Sequence, residues 1–297
     1  MRASAECIPC VLRQALNTAR RVNDDPWYHR KVVMAVMEYM QTLNFDRSPA
    51  EVSFDCLRFA NKFIGVADPF AEDKKGQTER MLAIEGQMRE HILESDDPLL
   101  TAIRYALAGN IIDLGIVTPE QAEAALEEDA REMALAIDDT PALREALASA
   151  RTVLYLLDNA GEVVCDKLVI EQLEAPEVTC VVRAAPIIND VTREDIKGLD
   201  LGRFAKIIDI GVPALGAPLS LCSAEFREVF AKSDVVIAKG QANFETLDET
   251  DREVFHVLRA KCDHLAAHFG VPRYSALVVR TPREGDEEEE PDAQTDE

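Results

Sequence analysis

Three short polar clusters hold the side chains from which this chain can build chemistry. Asp158-Asn159-Ala160-Gly161-Glu162 follows the apolar run Thr152 to Leu157. Asn189-Asp190-Val191-Thr192 comes shortly after Val178 to Arg183, and Lys239-Gly240-Gln241-Ala242-Asn243-Phe244-Glu245 follows Val235 to Ala238. The runs are rich in strand formers, and helical spacing resumes after the first. In an open α/β sheet, ligands bind just beyond the carboxyl ends of strands. Parallel strands would bring Asp158, Asp190 and Lys239 to one sheet edge. Two carboxylates and an amide oxygen suit Mg²⁺ or Mn²⁺ better than zinc. A lysine and backbone amides suit a phosphate. A metal there would bridge a phosphoryl oxygen, polarise phosphorus and position or activate water. Each cluster alone also suits a turn or a helix cap; the coincidence of three at strand ends points to a site.

The elements that must position these residues change character near residue 150. Val11-Leu12, Ala15-Leu16 and Ala19 recur at helical spacing, as do Val32-Val33, Val36-Met37 and Met40. Asp97-Pro98, Thr118-Pro119 and Thr140-Pro141 read as helix starts. Further on, Ala205–Asp209 and Ala276–Val279 add strands, and Glu162–Leu173, Ala224–Ala231 and Arg252–Phe269 read as helices. This alternation predicts a mostly parallel sheet covered by helices. The expected organisation is a helical domain over 1–148, an α/β/α metal- and phosphate-binding domain over 149–280, and a disordered acidic tail over 281–297.

Charge narrows the partners. The net charge is −23, and from Arg283 onward nine acidic residues face one basic residue. Dense like charge without aromatics predicts disorder for that tail. An acidic surface disfavours nucleic acid and repels small phosphates, so a phosphate site needs its own cation. No apolar run reaches the roughly 18 residues that span a bilayer, and the N-terminus lacks the apolar core of a signal peptide. These features predict a cytoplasmic protein. Seven cysteines, an odd number, argue against a disulfide framework. Nothing in the sequence reports oligomeric state.

Taken together, the segments resemble a known family. Cys-Ile-Pro-Cys at 7–10, Asp-Pro-Phe at 68–70 with Lys74, Ala-Gly-Asn-Ile-Ile-Asp at 108–113, Asp-Asn-Ala-Gly-Glu at 158–162, Asn-Asp-Val-Thr at 189–192 and Lys-Gly-Gln-Ala-Asn-Phe-Glu at 239–245 run in order along the chain. They resemble the DUF89, or ARMT1-like, family of metal-dependent damage-control phosphatases, and the Cys-x-x-Cys looks like its stand-alone microbial branch. The resemblance implies a helical domain packed on a Rossmann-like α/β/α domain. It implies a divalent cation (Mn²⁺, Mg²⁺, Co²⁺ or Ni²⁺) held by Asp158, Asn159 and Asp190, which form the catalytic group. It implies substrate contacts from Lys239, Gly240 and Asn243, with Asn110 and Glu162 reaching the same cleft. The implied activity is phosphate hydrolysis from small phosphometabolites, among them sugar phosphates and damaged or surplus cofactor precursors. One departure is visible: Gln77 stands where the family pattern has asparagine.

Other residues carry weaker readings. Asn110 and Asp113 share a helix face, as do Glu162 and Asp166; the latter pair can orient water or a lysine, or compensate a helix dipole. Lys74 is either solvated or reaches a phosphate across the cleft. Cys7 and Cys10 are half of a tetrahedral zinc site, a redox dithiol, or small packed side chains; a non-catalytic metal or redox protein built on them is one alternative function. Another is S-adenosylmethionine-dependent carboxyl methyl transfer, which the single glycine after the first strand disfavours.

Overall fold

Proline and capping residues start most helices of the first half. After α1 (Cys7–Val22), Asp25 caps α2 (Pro26–Met40) by accepting from the Trp27 amide. Ser48 and Glu51 form a reciprocal capping box on α3 (Pro49–Ile64). α4 (Ala71–Glu94) follows, and Asp97 caps α5 (Pro98–Ala108). Each cap satisfies amides that the first turn leaves without partners. α1, α2 and α3 enclose a small core around Val11, Ala15, Val32, Val36 and Cys56. α4 and α5 pack elsewhere, against the helix that follows the first long strand. The computed structural model describes residues 1–109, 126, 128–131, 133–173 and 177–282.

The second half builds a seven-stranded sheet among the described residues. In chain order its elements are β1 (Leu135–Asp138), α6 (Thr140–Ser149), β2 (Thr152–Leu156), α7 (Val163–Ile170), β3 (Glu177–Val182), β4 (Lys206–Asp209), α8 (Ala224–Lys232), β5 (Val235–Lys239), α9 (Gln241–Leu247), β6 (Val254–Arg259), α10 (Asp263–Phe269) and β7 (Ala276–Thr281). The spatial order is β1-β7-β6-β5-β2-β3-β4, and every pair is parallel except β6–β7. Along β2, Val153 and Tyr155 join the core beneath α4, α5 and α7, whereas Leu154 and Leu156 join Phe226 and Phe230 of α8. Alternation thus buries both faces, giving the α/β/α three-layer arrangement that the sequence predicts.

The order contains one reversal. From β2 the chain steps to β3 and β4 on one side, then returns to β5 and β6 on the other. At such a switch point the connections leave in opposite directions and open a crevice. Asp158 lies beyond β2, Asp190 beyond β3, and Lys239 ends β5.

Three local readings need correction. Residues 254–259 are a strand, although Arg252–Phe269 reads as one helix; Val254, Phe255, Val257 and Leu258 fit helical spacing equally well. β1 is a strand within the stretch read as helical, and it pairs with β7. Thr281, read as the start of the tail, is buried as the last residue of β7. The tail beyond it, from 283, lies outside the described residues, as do Asn110, Asp113 and the Thr118-Pro119 helix start.

Candidate active site

The loops after β2 and β3 are hydrogen-bonded to each other. The Val191 amide donates to the Asp158 carbonyl at 2.9 Å, the Ala160 amide to the Asn189 carbonyl at 2.9 Å, and Asn159 and Asp190 form an antiparallel bridge. This backbone pairing brings Asp158, Asn159 and Asp190 together, although about 30 residues of chain separate the two loops. All three line a cavity of about 840 Å³, together with Glu162.

Buried side chains fix the cluster from behind. Arg183, almost wholly enclosed, donates from Nε to Asp190 Oδ2 at 2.7 Å and from Nη2 to Asn243 Oδ1 at 3.3 Å. Asn243 Nδ2 donates to the Leu157 and Lys239 carbonyls. One amide therefore ties the ends of β2 and β5 to the arginine at the end of β3. Gly240 has φ +83°, and a Cβ there would sit 2.1 Å from Asp158 Oδ2. Only glycine lets the carboxylate lie against this backbone.

Asn159 Nδ2 donates to Asp158 Oδ2 at 3.1 Å and to Glu162 Oε1 at 2.6 Å. Burial pushes the Glu162 carboxyl up to about 7; Lys239 opposes the rise and Asp158 adds to it. Burial also pushes Asp190 up to about 7, against Arg183, with Asp158 again adding. Acids crowded and dried in this way favour a cation among them.

The donor set fits a hard divalent ion. Among the described residues no three His, Cys, Asp or Glu side chains form a metal cage by themselves. The candidate ligand oxygens are those of Asp158, the Asp190 oxygen not taken by Arg183, and the Asn159 amide oxygen. Glu162 Oε2 is buried without a hydrogen-bond partner. A magnesium-like ion commonly takes one or two carboxylates and completes its shell with water and phosphate oxygens, which this set permits and a structural zinc site does not.

Lys239 and Asn243 lie beneath the cavity rather than on it. The Lys239 ammonium donates to Asp166 Oδ1 at 2.7 Å and to the Ala106 carbonyl at 3.2 Å, with Glu162 Oε2 at 3.6 Å. Burial alone would lower its proton affinity, but Asp166 and Glu162 outweigh that and raise it. Tyr155 completes the group by donating to Asp166 Oδ1 at 2.9 Å. Of the two acids four apart at the start of α7, Asp166 therefore orients a lysine, and Glu162 faces the cavity.

Lys74 is neither solvated nor aimed at the cavity. It is buried between Asp68 at 2.7 Å and Asp195 at 2.9 Å, and Asp195 also accepts from the Thr192 amide. The lysine thus pins α4 to the loop that carries Asp190. Gln77, one turn further along, lines the cavity, and a Cβ on Gly161 would lie 2.9 Å from the Gln77 Cβ. Gly161 serves this close packing.

Two functional candidates escape sequence reasoning. Arg183 reads only as a strand end. Lys261 lies on the cavity wall, and its charge acts on both Glu162 and Asp190. It follows β6, the strand whose pattern reads as helix, so no strand-end argument reaches it.

Comparison with known proteins supports the fold described above. The family model for the damage-control phosphatase ARMT1-like domain matches residues 3–277. A damage-control phosphatase of Pyrococcus horikoshii is 34% identical over 286 residues, covering 94% of this chain and 98% of the relative. Another, from Archaeoglobus fulgidus, is 32% identical over 289 residues, covering 91% and 96%. The crystal structure of a DUF89 family protein from Pyrococcus horikoshii matches with a TM-score of 0.88 at 32% identity, over 94% of this chain and 99% of that one.

Proposed function

The chain belongs to the damage-control phosphatase ARMT1-like family, and from that membership we propose a divalent-metal-dependent phosphatase acting on small phosphometabolites. The observation that carries the metal dependence is the meeting of Asp158, Asn159 and Asp190 on one cavity at the β2–β5 switch point. The cavity volume, about 840 Å³, falls in the range of small-molecule sites, which supports a sugar phosphate or a cofactor precursor as substrate.

Asp158, Asp190 and Asn159 would hold the cation, and Arg183 would keep Asp190 in the ligating orientation. When bound, the ion supplies Lewis-acid polarisation of a phosphoryl oxygen and a template for the attacking water. Glu162, on the cavity beside Asn159, is the carboxylate placed to orient that water and accept its proton. Lys261 offsets negative charge developing on the phosphoryl oxygens. Lys239 acts through Asp166 and Glu162 as a positioning residue. Asn243 does the same through Arg183 and the strand ends.

Methyl transfer finds no support in the β2–α7 turn. Gln77 fills the space above Gly161, where a nucleoside cofactor would need to approach the backbone.

Full-length protein supplied with Mn²⁺, Mg²⁺, Co²⁺ or Ni²⁺ is expected to release phosphate from p-nitrophenyl phosphate and from sugar phosphates. Undiminished release in excess EDTA, or by a folded Asp158→Ala protein, would reject the metal-dependent reading.

A further inference from the structure

The segment that joins β6 to α10 and the loop from α10 to β7 meet on one wall of the cavity. Lys261 and Cys262, which caps α10, line the cavity from the first, and Arg273 lines it from the second. Arg273 Nε donates to the Lys261 carbonyl at 2.9 Å, and its guanidinium carbon lies 4.8 Å from the centre of the Tyr274 ring. Its ion pair among the described residues is with Asp263, at 3.7 Å and largely exposed, a kind of pairing worth little in water. The guanidinium is thus held along its Nε edge and on one face. Its two Nη groups make no hydrogen bond among the described residues.

Tyr274 stands where the backbone asks for a different residue. The Ser275 amide donates to the Pro272 carbonyl at 3.2 Å and closes a four-residue turn, and Tyr274, the third residue of that turn, has φ +69°. Glycine or asparagine ordinarily takes such a place, and a bulky side chain there is strained. Burial does not offset the strain, because Tyr274 is 53% exposed. What the ring does gain is the face of the Arg273 guanidinium. Strain kept at the rim of a ligand cavity points to a binding role for the group it supports.

We propose that Arg273, backed by Tyr274, is a second anion subsite, so that the favoured substrates carry a carboxylate or a second phosphate at the end away from the scissile phosphate. The assignment of the two ends rests on the phosphatase reading. The scissile phosphate takes the floor, where Asp158, Glu162 and Asp190 are buried, and the remainder of the substrate reaches the exposed Arg273 at the mouth. A cavity of about 840 Å³ holds more than a phosphate. The planar guanidinium fork matches the oxygens of a carboxylate or a phosphate. A chain of net charge −23 repels a multiply charged anion, and an arginine at the mouth offsets that repulsion where the ligand enters. α1 brings Arg13 to the same cavity with Cys7 and Cys10; these two thiols are free and, with Cys262, form no metal cage among the described residues.

Two matched pairs of esters decide it. Sorbitol 6-phosphate against 6-phosphogluconate isolates a carboxylate, and fructose 6-phosphate against fructose 1,6-bisphosphate isolates a second phosphate. Calorimetry on full-length protein in EDTA reads affinity without hydrolysis. The more anionic member of at least one pair is expected to bind about tenfold tighter, and Arg273→Gln should erase that gap; the pair that shows it identifies the group. Tyr274→Gly accepts φ +69° without strain, so it should keep or raise the melting temperature while narrowing the gap. With Mn²⁺ present, Arg273→Gln should bring the two KM values of that pair together, with kcat changing less than KM. Equal affinities within both pairs, undetectable binding included, would overturn the subsite. So would a gap that survives Arg273→Gln, a gap lost in Arg13→Gln instead, or a fall in kcat shared by all four esters with KM ratios intact. A gap left whole in folded Tyr274→Gly protein would overturn the part given to the ring. No hydrolysis of any ester with metal would count against the phosphatase reading, while the calorimetry still decides the subsite.

Discussion

Asp166 and Asp190 are both buried carboxylates bonded to a buried cation, Lys239 in one case and Arg183 in the other. The Lys239 group turns inward. Asp166 Oδ1 takes both the lysine and Tyr155, the lysine takes the Ala106 carbonyl, and none of these side chains reaches the cavity. The Arg183 group turns outward. The arginine binds one Asp190 oxygen, and Asp190 stands on the cavity beside Asp158 and Asn159. An ion pair at a strand end is therefore scaffold or chemistry according to the side it faces, and a charge pattern alone does not distinguish them.

The largest expected effect tests the inward group. Lys239→Met leaves Asp166 buried without its cation and should cost about 3–5 kcal/mol of stability by urea unfolding. Adding Asp166→Leu should restore part of the loss, because both charges are then gone. A Lys239→Met protein of normal stability but without activity would move this lysine into the chemistry and erase the distinction. Asp158→Ala should show the opposite profile. Phosphate release with Mn²⁺ should fall about 10²–10³-fold, the loss of several kcal/mol of metal-borne stabilisation, while the melting temperature stays within a few degrees.

Arg183→Lys sharpens the outward side. A lysine cannot reproduce the guanidinium fork that reaches Asp190 and Asn243 together. Mn²⁺ affinity by calorimetry should weaken about 10–100-fold, the usual cost of disturbing a group that orients a ligand. The smallest effect concerns Glu245, a buried cavity acid that accepts from the neutral Gln241 amide, its carboxyl pushed by burial to about 7 from 4.5. A raised carboxyl means that the folded state binds the proton more tightly than the unfolded state. Stability should therefore fall as pH rises between about 4.5 and 7. Glu245→Gln should be about 1–3 kcal/mol more stable than wild type at pH 8, with the gap closing toward pH 4.5. Equal stability of the two proteins across that range would show that Glu245 is compensated as Asp166 is.

The strands that present the site were legible because they are short β-branched runs ending in polar residues: β2, β3 and β5 lie within a residue or so of where pattern puts them. β6 was not. Only residues 260–262 separate it from α10, and its apolar residues satisfy helical spacing as well as strand pairing. Losing β6 also hid Lys261 and the neighbourhood of Cys262. β1 was hidden by its four-residue length. Arg183 gave no signal, since an arginine after an apolar run ordinarily marks a solvated strand end. Asn243, which the motif offers as a substrate contact, is fully buried, its amide spent on the carbonyls at the ends of β2 and β5.

Sequence by itself determined the α/β architecture and the acids that meet at the cavity, because periodicity and strand-end chemistry are local properties; Gly240, expected to touch substrate, instead makes room for Asp158. Which lysine faces the cavity was decided only by tertiary structure. Lys239 ends its strand under α7, where Asp166 and the carbonyl of Ala106 are the nearest partners for an ammonium excluded from water. Lys261 leaves the next strand on the cavity wall. That difference depends on the order in which strands lie side by side, and on the helices covering them, which no spacing along the chain encodes.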